Sequence, residues 1–380
     1  MRDGKRQLVV VGAGFAGLAC ARAAAARGVE TTVIEAQPGP GHRVRTTGIL
    51  VKEAADAWDV PRGLTKKIHG VRLYAPSMRW IDFERTGYYF LATETSDLMG
   101  WWAREAARHG VEVRWDVRFD GAEELEDGSL WLTGNGFRCD YLVGADGARS
   151  RVAQARGLDA NSRYLVGLEM ECVGLDGVDD DRLHVFLDGE LAPGYIAWVV
   201  PGTSCYQVGL ACRSPHRPDP ERLMATVSRV FDTHHMTVIG HRSGRIPVGG
   251  PLRRIGDRRC LLVGDAAGWV SPLTAGGIHS AIEWSRQAGV AVADHLLDDG
   301  PLPYRVLRHR VPSYGVKRWL RWTADRMPAN ALYNHLLDNP VLRQAARLIF
   351  FHHRGVMSRE AWIEWWRQGR RPNNSLQVRG

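Results

Sequence analysis

Residues 7–36 read QLVVVGAGFAGLACARAAAARGVETTVIEA, and this stretch decides the fold. A run of strand-forming residues leads into three glycines, an Ala-rich segment follows, and Gly28 separates it from a second apolar run. The pattern predicts a strand, a tight turn, a helix that ends at Gly28 and a second strand. This is half of a dinucleotide-binding α/β fold.

Each glycine of GAGFAG has a separate predicted role. Gly12 permits the tight turn, Gly14 lets the backbone approach a pyrophosphate, and Gly17 lets the helix pack against the strand. The N-terminus of the helix then presents N–H groups and its positive dipole end to the phosphates. Glu35 ends the second strand, where a carboxylate accepts hydrogen bonds from ribose hydroxyls and repels a 2′-phosphate.

Two later stretches also have an apolar strand that leads into a glycine-containing turn, but in each of them the turn carries an Asp. Asp146 follows the apolar run of YLVGADGARS (141–150), and Asp265 follows that of LLVGDAAG (261–268). A carboxylate is unfavourable beside a pyrophosphate, but it accepts hydrogen bonds from the hydroxyls of a polyol. FAD has a ribityl chain and NAD does not, so the two acids favour FAD. The alternative is that each Asp only caps the helix that follows it.

The composition is that of a globular protein with room for about two domains, with 380 residues of which 44% are hydrophobic. Its six cysteines form no CxxC pair, so we expect no metal site, no disulfides and a reducing compartment. The basic start before an apolar segment is also typical of a signal peptide, but the glycine spacing favours the dinucleotide fold. No apolar run reaches the roughly 20 residues that a membrane span needs, and we expect a cytoplasmic protein.

The rest of the chain predicts a second sheet and a helical end. Residues 70–91 alternate like a hairpin, residues 164–212 are rich in strands, and residues 278–297 predict a helix. The predicted fold class is α/β, a Rossmann-like FAD-binding domain with an inserted, mostly antiparallel substrate domain and a helical C-terminal region. The predicted division is 1–69, 93–158 and 242–300 for the FAD-binding domain, 70–92 and 159–241 for the substrate domain, and 301–380 for the helical region.

The three turns together resemble those of FAD-dependent enzymes of the p-hydroxybenzoate hydroxylase fold (GR2 type), the group A flavoproteins. YLVGADGARSRV is similar to the second FAD motif of that family, and RCLLVGDAAGWVSPLTAGGIHSAIEWS is similar to its third. The resemblance implies that Asp265 holds a ribityl oxygen and that Asp146 and Arg149 lie near the pyrophosphate and ribityl groups. It also implies that residues 276–278 follow the pyrimidine edge of the flavin. The predicted cofactor-binding residues are Gly12, Gly14, Ala16, Gly17, Glu35, Arg45, Asp146, Arg149, Asp265, Gly276, Gly277 and Ile278.

The glycines of the third motif have a predicted electrostatic role. Reduced flavin carries negative charge near N1 and the C2 oxygen, and a helix that begins after Gly277 offers N–H groups and its positive dipole end to that charge. Ala275 precedes the pair, so Gly276 and Gly277 are predicted to supply the backbone freedom that close approach requires.

Within this fold the chain most resembles the geranylgeranyl reductase branch, which saturates isoprenoid double bonds. SPLTAGGIHSAIEWS (271–285) carries part of the resemblance. PGYIAWVVPGTSCYQVGLA (193–211) is similar to the branch's aromatic, Trp, Pro, Gly signature on the substrate sheet. The resemblance implies a substrate cavity, and a core strand rich in aromatic residues is the alternative. The residues predicted to line or shape that cavity are Tyr195, Trp198, Pro201 and Gly209.

The chain departs from the pattern of that branch at several positions. Tyr195 sits one residue further from the Trp than usual, Val200 replaces an expected Phe, and Ala211 stands where a second Gly is expected. Residues 41–54 lack the Cys that many of those reductases carry near the flavin, and Thr93 stands where an Arg is expected. A flavin halogenase is disfavoured because YIAWVVP does not spell the Trp-x-Trp-x-Ile-Pro signature. The departures leave the substrate class open.

The predicted reaction is reduction of a carbon–carbon double bond in a geranylgeranyl lipid or an isoprenoid quinone. NAD(P)H or another donor reduces FAD, flavin N5 delivers hydride to one alkene carbon, and an acid protonates the other. The predicted catalytic candidates for that acid are His42, Tyr195 and His279. The faces of Tyr195 and Trp198 are predicted to stabilise the cationic character that develops. The alternative is an aromatic monooxygenase that uses NAD(P)H and O₂.

Basic charge is concentrated in residues 301–380, which hold 15 Lys and Arg against 4 Asp and Glu, a net charge of +11. VKRWLRW (316–322) and AWIEWWRQGRRP mix Arg with Trp, a composition that suits an anionic membrane surface. Trp362, Trp365 and Trp366 share one face at helical spacing, and these rings can equally pack inward. We therefore expect a hydrophobic or lipid substrate and peripheral membrane association as one open interpretation, and no nucleic acid partner.

Overall fold

The computed structural model describes residues 6–325 and 329–351. The chain forms two compact units. The first unit contains Met1–Gly48, Glu94–Leu165 and Gly244–Thr323, and the second contains Ile49–Thr93, Val166–Ser243 and Ala324–Gly380. Residues 49–69 pack with the second unit and residues 301–323 with the first, and the predicted division by function stays a prediction.

The described residues form 18 strands and 10 α-helices. The strands are β1 (Gln7–Val11), β2 (Glu30–Glu35), β3 (Ile49–Val51), β4 (Thr65–Ile68), β5 (Gly70–Tyr74), β6 (Trp80–Glu84), β7 (Phe90–Thr93), β8 (Val111–Trp115), β9 (Gly121–Glu124), β10 (Leu130–Thr133), β11 (Phe137–Cys139), β12 (Tyr141–Gly144), β13 (Tyr164–Val173), β14 (Arg182–Phe186), β15 (Ala197–Pro201), β16 (Tyr206–Arg213), β17 (Thr237–Pro247) and β18 (Cys260–Leu262). The helices are α1 (Phe15–Ala25), α2 (Lys52–Ala57), α3 (Thr95–Arg108), α4 (Arg151–Ala155), α5 (Pro220–Val227), α6 (Ile278–Leu297), α7 (Pro303–Arg310), α8 (Gly315–Ala324), α9 (Ala329–Leu336) and α10 (Pro340–Phe351). Two 3₁₀ turns span Arg62–Leu64 and Gly264–Ala267.

The first unit is built on a five-stranded parallel sheet with the order β18-β12-β1-β2-β8. Strands β1, β12 and β18 are buried along nearly their whole length, which explains why they read as continuous Val and Leu runs rather than as alternating patterns. A small antiparallel sheet, β11-β10-β9, belongs to the same unit. The predicted strand, turn, helix and strand over residues 7–36 are confirmed.

Small residues let two helices of the first unit pack closely. Helix α1 is rich in Ala and Gly, and seven of its eleven residues are buried. Helix α6 has the predicted bounds and lies against it, and a Cβ atom on Gly289 would collide with the Cys20 carbonyl oxygen. The backbones therefore approach at a distance that larger side chains would prevent.

The second unit contains a seven-stranded sheet with the order β17-β13-β16-β15-β14-β5-β6. Strands β14 to β16 pair antiparallel, as do β5 and β6, whereas β14 and β5 run parallel. The predicted hairpin over residues 70–91 is the β5–β6 pair. A three-stranded antiparallel sheet, β3-β7-β4, belongs to the same unit. The predicted α/β fold with added antiparallel sheets is confirmed.

The two faces of the seven-stranded sheet carry separate cores. Val199, Val208 and Leu210 belong to one cluster of buried side chains. Val200 belongs to the other, which also contains Phe351 of α10, and the partly buried Trp198 packs against it. Because neighbouring residues of a strand point to opposite faces, Trp198 and Val199 serve different cores.

The six cysteines are buried and none is joined in a disulfide, and burial raises the pKa of the Cys20 thiol to about 12. Within residues 6–325 and 329–351, no helix is long and apolar enough to span a membrane. The same residues hold no group of His, Cys, Asp or Glu side chains arranged to ligate a metal ion.

Candidate functional site

The three predicted motifs meet at one edge of the parallel sheet. Val11 of β1 pairs with Gly144 of β12, and Gly144 pairs with Leu262 of β18. The three strands therefore end in register, and the turns that follow them lie side by side. Glu35 ends β2 on the other side of β1, where Ile34 pairs with Val11.

The glycines of these turns are required by close backbone contacts. Gly12 has a φ of +106°, and a Cβ atom on it would collide with the Ala145 carbonyl oxygen of the second motif. A Cβ atom on Gly264 would lie 2.5 Å from that of Ala16, so the third motif packs against the first. A Cβ atom on Gly17 would collide with the Gly12 carbonyl oxygen. The structure thus accounts for Ala16, Gly12 and Gly17 by packing.

Gly14 differs from its neighbours because its surroundings are open. A Cβ atom added to it would meet no atom within 4 Å. Gly14 is the N-cap residue of α1, and its backbone is extended, with no side-chain hydrogen bond at the cap. The helix N-terminus is therefore accessible at the position where the sequence predicts a pyrophosphate.

Glu35 is oriented by the backbone of the first turn. Its two carboxylate oxygens accept hydrogen bonds from Ala13 N at 2.8 Å and from Gln37 N at 2.9 Å. Each oxygen keeps a further lone pair, so this carboxylate is held in place beside the turn while it retains acceptor capacity for ribose hydroxyls.

The two oxygens of Asp146 have different surroundings. Oδ2 accepts hydrogen bonds from Arg151 N at 2.6 Å and Val152 N at 3.1 Å, so it caps α4 together with the Ser150 hydroxyl. Oδ1 is buried and has no hydrogen-bond partner among the residues that the structure describes. A buried acceptor without a partner is costly, so Oδ1 suits a ligand hydroxyl. Helix capping and ligand binding therefore use different oxygens of this side chain.

Asp265 lies in the 3₁₀ turn after β18, which the Asn161 amide steadies by donating to the Asp265 carbonyl oxygen at 2.8 Å. The side chain keeps some accessible surface, but burial by the surrounding protein raises its pKa to about 6. Oδ1 lies 3.7 Å from the position of a Cβ atom on Gly277, so the structure brings the acid and the glycine pair of the third motif together.

The backbone of the glycine pair differs from the prediction. The residue in the left-handed region is Ala275, with a φ of +51°, whereas Gly277 has a φ of −128° and caps α6. Ser271 N donates to the Gly276 carbonyl oxygen and Ala275 N donates to the Ser271 carbonyl oxygen, and this closed turn sets the conformation of Ala275. The prediction that the glycines alone supply the backbone freedom is therefore wrong. Gly277 instead avoids crowding Val270, whose Cγ2 would lie 3.1 Å from an added Cβ atom.

The remaining predicted residues of the first unit lie around these turns or on its surface. Ile278 and His279 form the start of α6 and are half-buried, and no side chain of the described residues caps that helix. His42, Arg45 and Arg149 are exposed in loops. Ile278 and His279 therefore lie next to the glycine pair at the start of α6, whereas the side chains of His42, Arg45 and Arg149 are in solvent.

The predicted substrate residues lie in the second unit. Tyr195 is half-buried before β15, and Pro201 is buried at the end of that strand. Trp198 pairs in register with Gly209 on β16, and its indole Nε1 donates to Glu169 Oε2 at 2.9 Å. Sequence reasoning missed Glu169, because Glu at alternating positions of a strand, here Glu169 and Glu171, is typical of a solvent-facing side.

Comparisons with known proteins agree with this geometry. Residues 7–156 match the family model for FAD dependent oxidoreductases. Digeranylgeranylglycerophospholipid reductase 1 of Methanothermobacter thermautotrophicus is 30% identical over 306 residues, which are 75% of this chain and 76% of that protein. The chain belongs to the geranylgeranyl reductase family of FAD-dependent oxidoreductases.

Other members of the family and a solved structure give the same result. Digeranylgeranylglycerophospholipid reductase 2 of Methanosphaera stadtmanae is 28% identical over 77% of this chain and 78% of its own length. The geranylgeranyl bacteriochlorophyll reductase-like protein of Thermoplasma acidophilum superposes with a TM-score of 0.78 at 22% identity, over 97% of both chains. That match shows the fold, and the predicted dependence on FAD is confirmed.

The residues at the sheet edge of this family member fit FAD. The open Gly14 at the start of α1 suits the pyrophosphate, which needs N–H donors and no side chain. The unpartnered Oδ1 of Asp146 and the desolvated carboxyl of Asp265 suit hydroxyl donors, which the ribityl chain supplies. If these assignments are correct, substitution of Gly14 should weaken FAD binding, whereas substitution of Gly12 should lower the stability of the fold.

Replacing Gly14 by Ala is expected to weaken FAD binding at least about tenfold, while the unfolding free energy of the FAD-free protein changes by less than about 1 kcal/mol. Gly12→Ala is the matched variant, and it should lower the unfolding free energy by about 1–3 kcal/mol because its Cβ atom meets the Ala145 carbonyl oxygen. FAD titration and urea unfolding measure the two quantities. Wild-type FAD affinity in Gly14→Ala would contradict the assignment.

Asp265 predicts a pH dependence of stability in the FAD-free protein. Its folded pKa of about 6 lies above the ordinary value of 3.8, so the folded state holds this proton more tightly than the unfolded state. The unfolding free energy should therefore fall as pH rises from about 4 to about 6 and stay lower above that, by about 3 kcal/mol.

Asp265→Asn removes this dependence, since its amide does not titrate. Its stability advantage over the wild type in urea unfolding should grow from about pH 4 to about pH 6 and stay constant above that, yet the variant should retain less FAD. Asp299→Asn, a change at an exposed carboxylate, is the control and should follow the wild type. Parallel pH profiles for Asp265→Asn and the wild type would show that the pKa of Asp265 is not raised.

Proposed function

We propose that the chain reduces carbon–carbon double bonds of an isoprenoid chain, carried by a geranylgeranyl lipid or an isoprenoid quinone. The observation that carries the proposal is the identity of 27–30% over about three quarters of the chain to proteins named digeranylgeranylglycerophospholipid reductases. The arrangement of Trp198 over Gly209 supports it, because this pair belongs to the stretch on which the resemblance to that branch rests.

Bound FAD supplies hydride from its N5 atom. The residues of the first unit would hold the cofactor through the open turn at Gly14, the oriented carboxylate of Glu35 and the acceptors of Asp146 and Asp265. The N-terminus of α6, which begins at Ile278 without a side-chain cap from the described residues, would stabilise negative charge on the reduced isoalloxazine ring. NAD(P)H is the electron donor that we propose.

An isolated trialkyl alkene is a poor electrophile, so the protein must stabilise the positive charge that develops on carbon as the alkene is reduced. The aromatic faces of Trp198 and Tyr195 are suited to this task, because a ring face attracts a cation most strongly when water is excluded. The proton would come from Tyr195 or His279, which are half-buried, rather than from His42, which is exposed in a turn.

The proposal predicts a specific mass change. Incubated with NADPH and a geranylgeranyl lipid without oxygen, the protein should add the mass of two hydrogens for each double bond reduced, as measured by mass spectrometry. Trp198→Ala should lower the rate about tenfold or more, because it removes the proposed ring face. The same incubation in air with the lipid or with a phenol tests the monooxygenase alternative. Gain of one oxygen, with no gain of hydrogen, would overturn the proposal.

We also propose that helix α8 docks on an anionic membrane surface, where a lipid substrate resides. Val316, Trp319 and Trp322 are 73%, 61% and 48% exposed on this helix. Arg318 on the same helix is exposed, as are the basic residues of the last turn of α7. Exposed tryptophans beside exposed cations suit the headgroup region of an anionic bilayer. The second predicted tryptophan group, at 362, 365 and 366, lies outside the described residues.

Vesicle flotation tests this docking. The wild type should float with vesicles that contain phosphatidylglycerol and not with neutral phosphatidylcholine vesicles. The double variant Trp319→Ser/Trp322→Ser should float about tenfold less. Trp131→Ser is the matched control, because Trp131 is 40% exposed on β10, outside the basic helices, and its loss should leave flotation unchanged. Equal flotation of the double variant, or tighter binding to DNA than to vesicles, would contradict the proposal.

A further inference from the structure

Trp198 is tied to a buried ionic network on one face of the seven-stranded sheet. Glu169 accepts the indole N–H, Arg242 Nη1 lies 3.6 Å from Glu169 Oε1, and Arg242 also pairs with Glu171. Glu169 is 4% exposed, and the side chain of Arg242 is 9% exposed. We call these four residues the Trp198 network.

The network crosses three strand boundaries. Arg242 lies on β17, Glu169 and Glu171 on β13, and Trp198 on β15, and β16 separates β13 from β15 in the sheet order β17-β13-β16-β15. The indole of Trp198 must therefore reach across β16 to donate to Glu169.

Gly209 of β16 makes this crossing possible. A Cβ atom on Gly209 would lie 2.6 Å from Trp198 Cζ2 and 2.7 Å from Cε2. The ring therefore lies directly against the backbone of β16, and its plane is set by contact on one side and by the carboxylate at its N–H. Any larger residue at this position would displace the indole from Glu169.

The Glu169 carboxylate forms an ion pair with the guanidinium of Arg242. Leaving a buried carboxylate unpaired is strongly unfavourable, and the pairing with Arg242 offsets much of that cost. A hydrogen bond from a neutral N–H to an anion is stronger and more directional than one to a neutral acceptor. The indole of Trp198 is therefore both held and polarised by a fixed negative charge.

We propose that Glu169 is a positioning residue for Trp198. It fixes the plane of the indole over Gly209 and, as an anion on the ring N–H, increases the electron density of the ring face. The inference rests on the proposed function, in which this face stabilises the positive charge that develops on the alkene. Glu169 neither gains nor loses a proton in the reaction.

A different role for Glu169 is to neutralise Arg242 alone, and the chain offers a control for it. Glu171 pairs with the same guanidinium and its side chain packs against Gly240, whereas the indole N–H of Trp198 donates to Glu169. Glu169→Gln and Glu171→Gln each remove one negative charge from beside Arg242 and keep the shape of the side chain. Only Glu169→Gln removes the charge from the indole N–H.

Steady-state kinetics of the FAD-loaded variants with the isoprenoid substrate test the proposal. Glu169→Gln should lower kcat about tenfold and change KM less than about twofold, because the charge acts as the alkene becomes cationic. Glu171→Gln should change both constants less than about twofold. Equal losses of kcat in the two variants would overturn the proposal in favour of a role in neutralising Arg242.

A double-mutant cycle shows whether Glu169 acts through the ring. Trp198→Phe keeps an aromatic face and removes the N–H, so Glu169→Gln should cost less than about twofold in this background. A further tenfold loss in that background would show that Glu169 acts independently of Trp198 and would overturn the proposal. FAD absorbance and thermal unfolding of each variant check that the holoenzyme is folded.

The indole resonance provides a readout that needs no substrate. In a ¹⁵N-tryptophan spectrum of the holoenzyme, Trp198→Phe identifies the Nε1–H signal of Trp198. That signal should move upfield in Glu169→Gln and in Gly209→Ala and stay in place in Glu171→Gln. An unmoved signal in Glu169→Gln would overturn the positioning role. If the signal moves but the wild type reduces no isoprenoid, the proposed function fails while the positioning of Trp198 stands.

Discussion

The contact between the backbones of three turns is the constraint on which the rest of the first unit depends. A Cβ atom on Gly12 would collide with the Ala145 carbonyl oxygen and one on Gly264 with Ala16, so the turns after β1, β12 and β18 lie too close together for larger side chains at these positions. This contact places two acids and one helix N-terminus at a single sheet edge. Because Gly14 is open while Gly12 and Gly17 beside it are crowded, the same packing also leaves the start of α1 accessible to a phosphate.

The sequence predicted those elements whose signals are local. The bounds of α6, the strand and helix over residues 7–36 and the β5–β6 hairpin each follow from periodicity and turn residues within one short stretch. The backbone of Ala275 was beyond that reasoning. Which residue of a turn takes the left-handed conformation depends on the hydrogen bonds between Ser271, Ala275 and Gly276, and residue type gives only a preference.

The Trp198 network could not be predicted for a related reason. Glu169 lies 29 residues before Trp198, and Arg242 lies on a third strand, so their contact depends on the order of strands in the sheet. In the sequence, Glu169 and Glu171 flank Met170 in a pattern that also describes an ordinary half-exposed strand. Gly209 was noticed only through resemblance, yet its function in the fold is plain once the indole is seen to cross β16.

The two acids of the FAD-binding edge show how one motif serves both folding and binding. Asp146 contributes to the fold through Oδ2, which caps α4, and leaves Oδ1 for a ligand. Burial raises the pKa of Asp265, so its ionised form costs stability until a ligand donates a hydrogen bond to it. A carboxylate that destabilises the empty protein couples cofactor binding to its own ionisation. The fold holds the Asp265 carboxylate in place before a ligand hydroxyl is bound, and this preorganisation lowers the stability of the FAD-free protein.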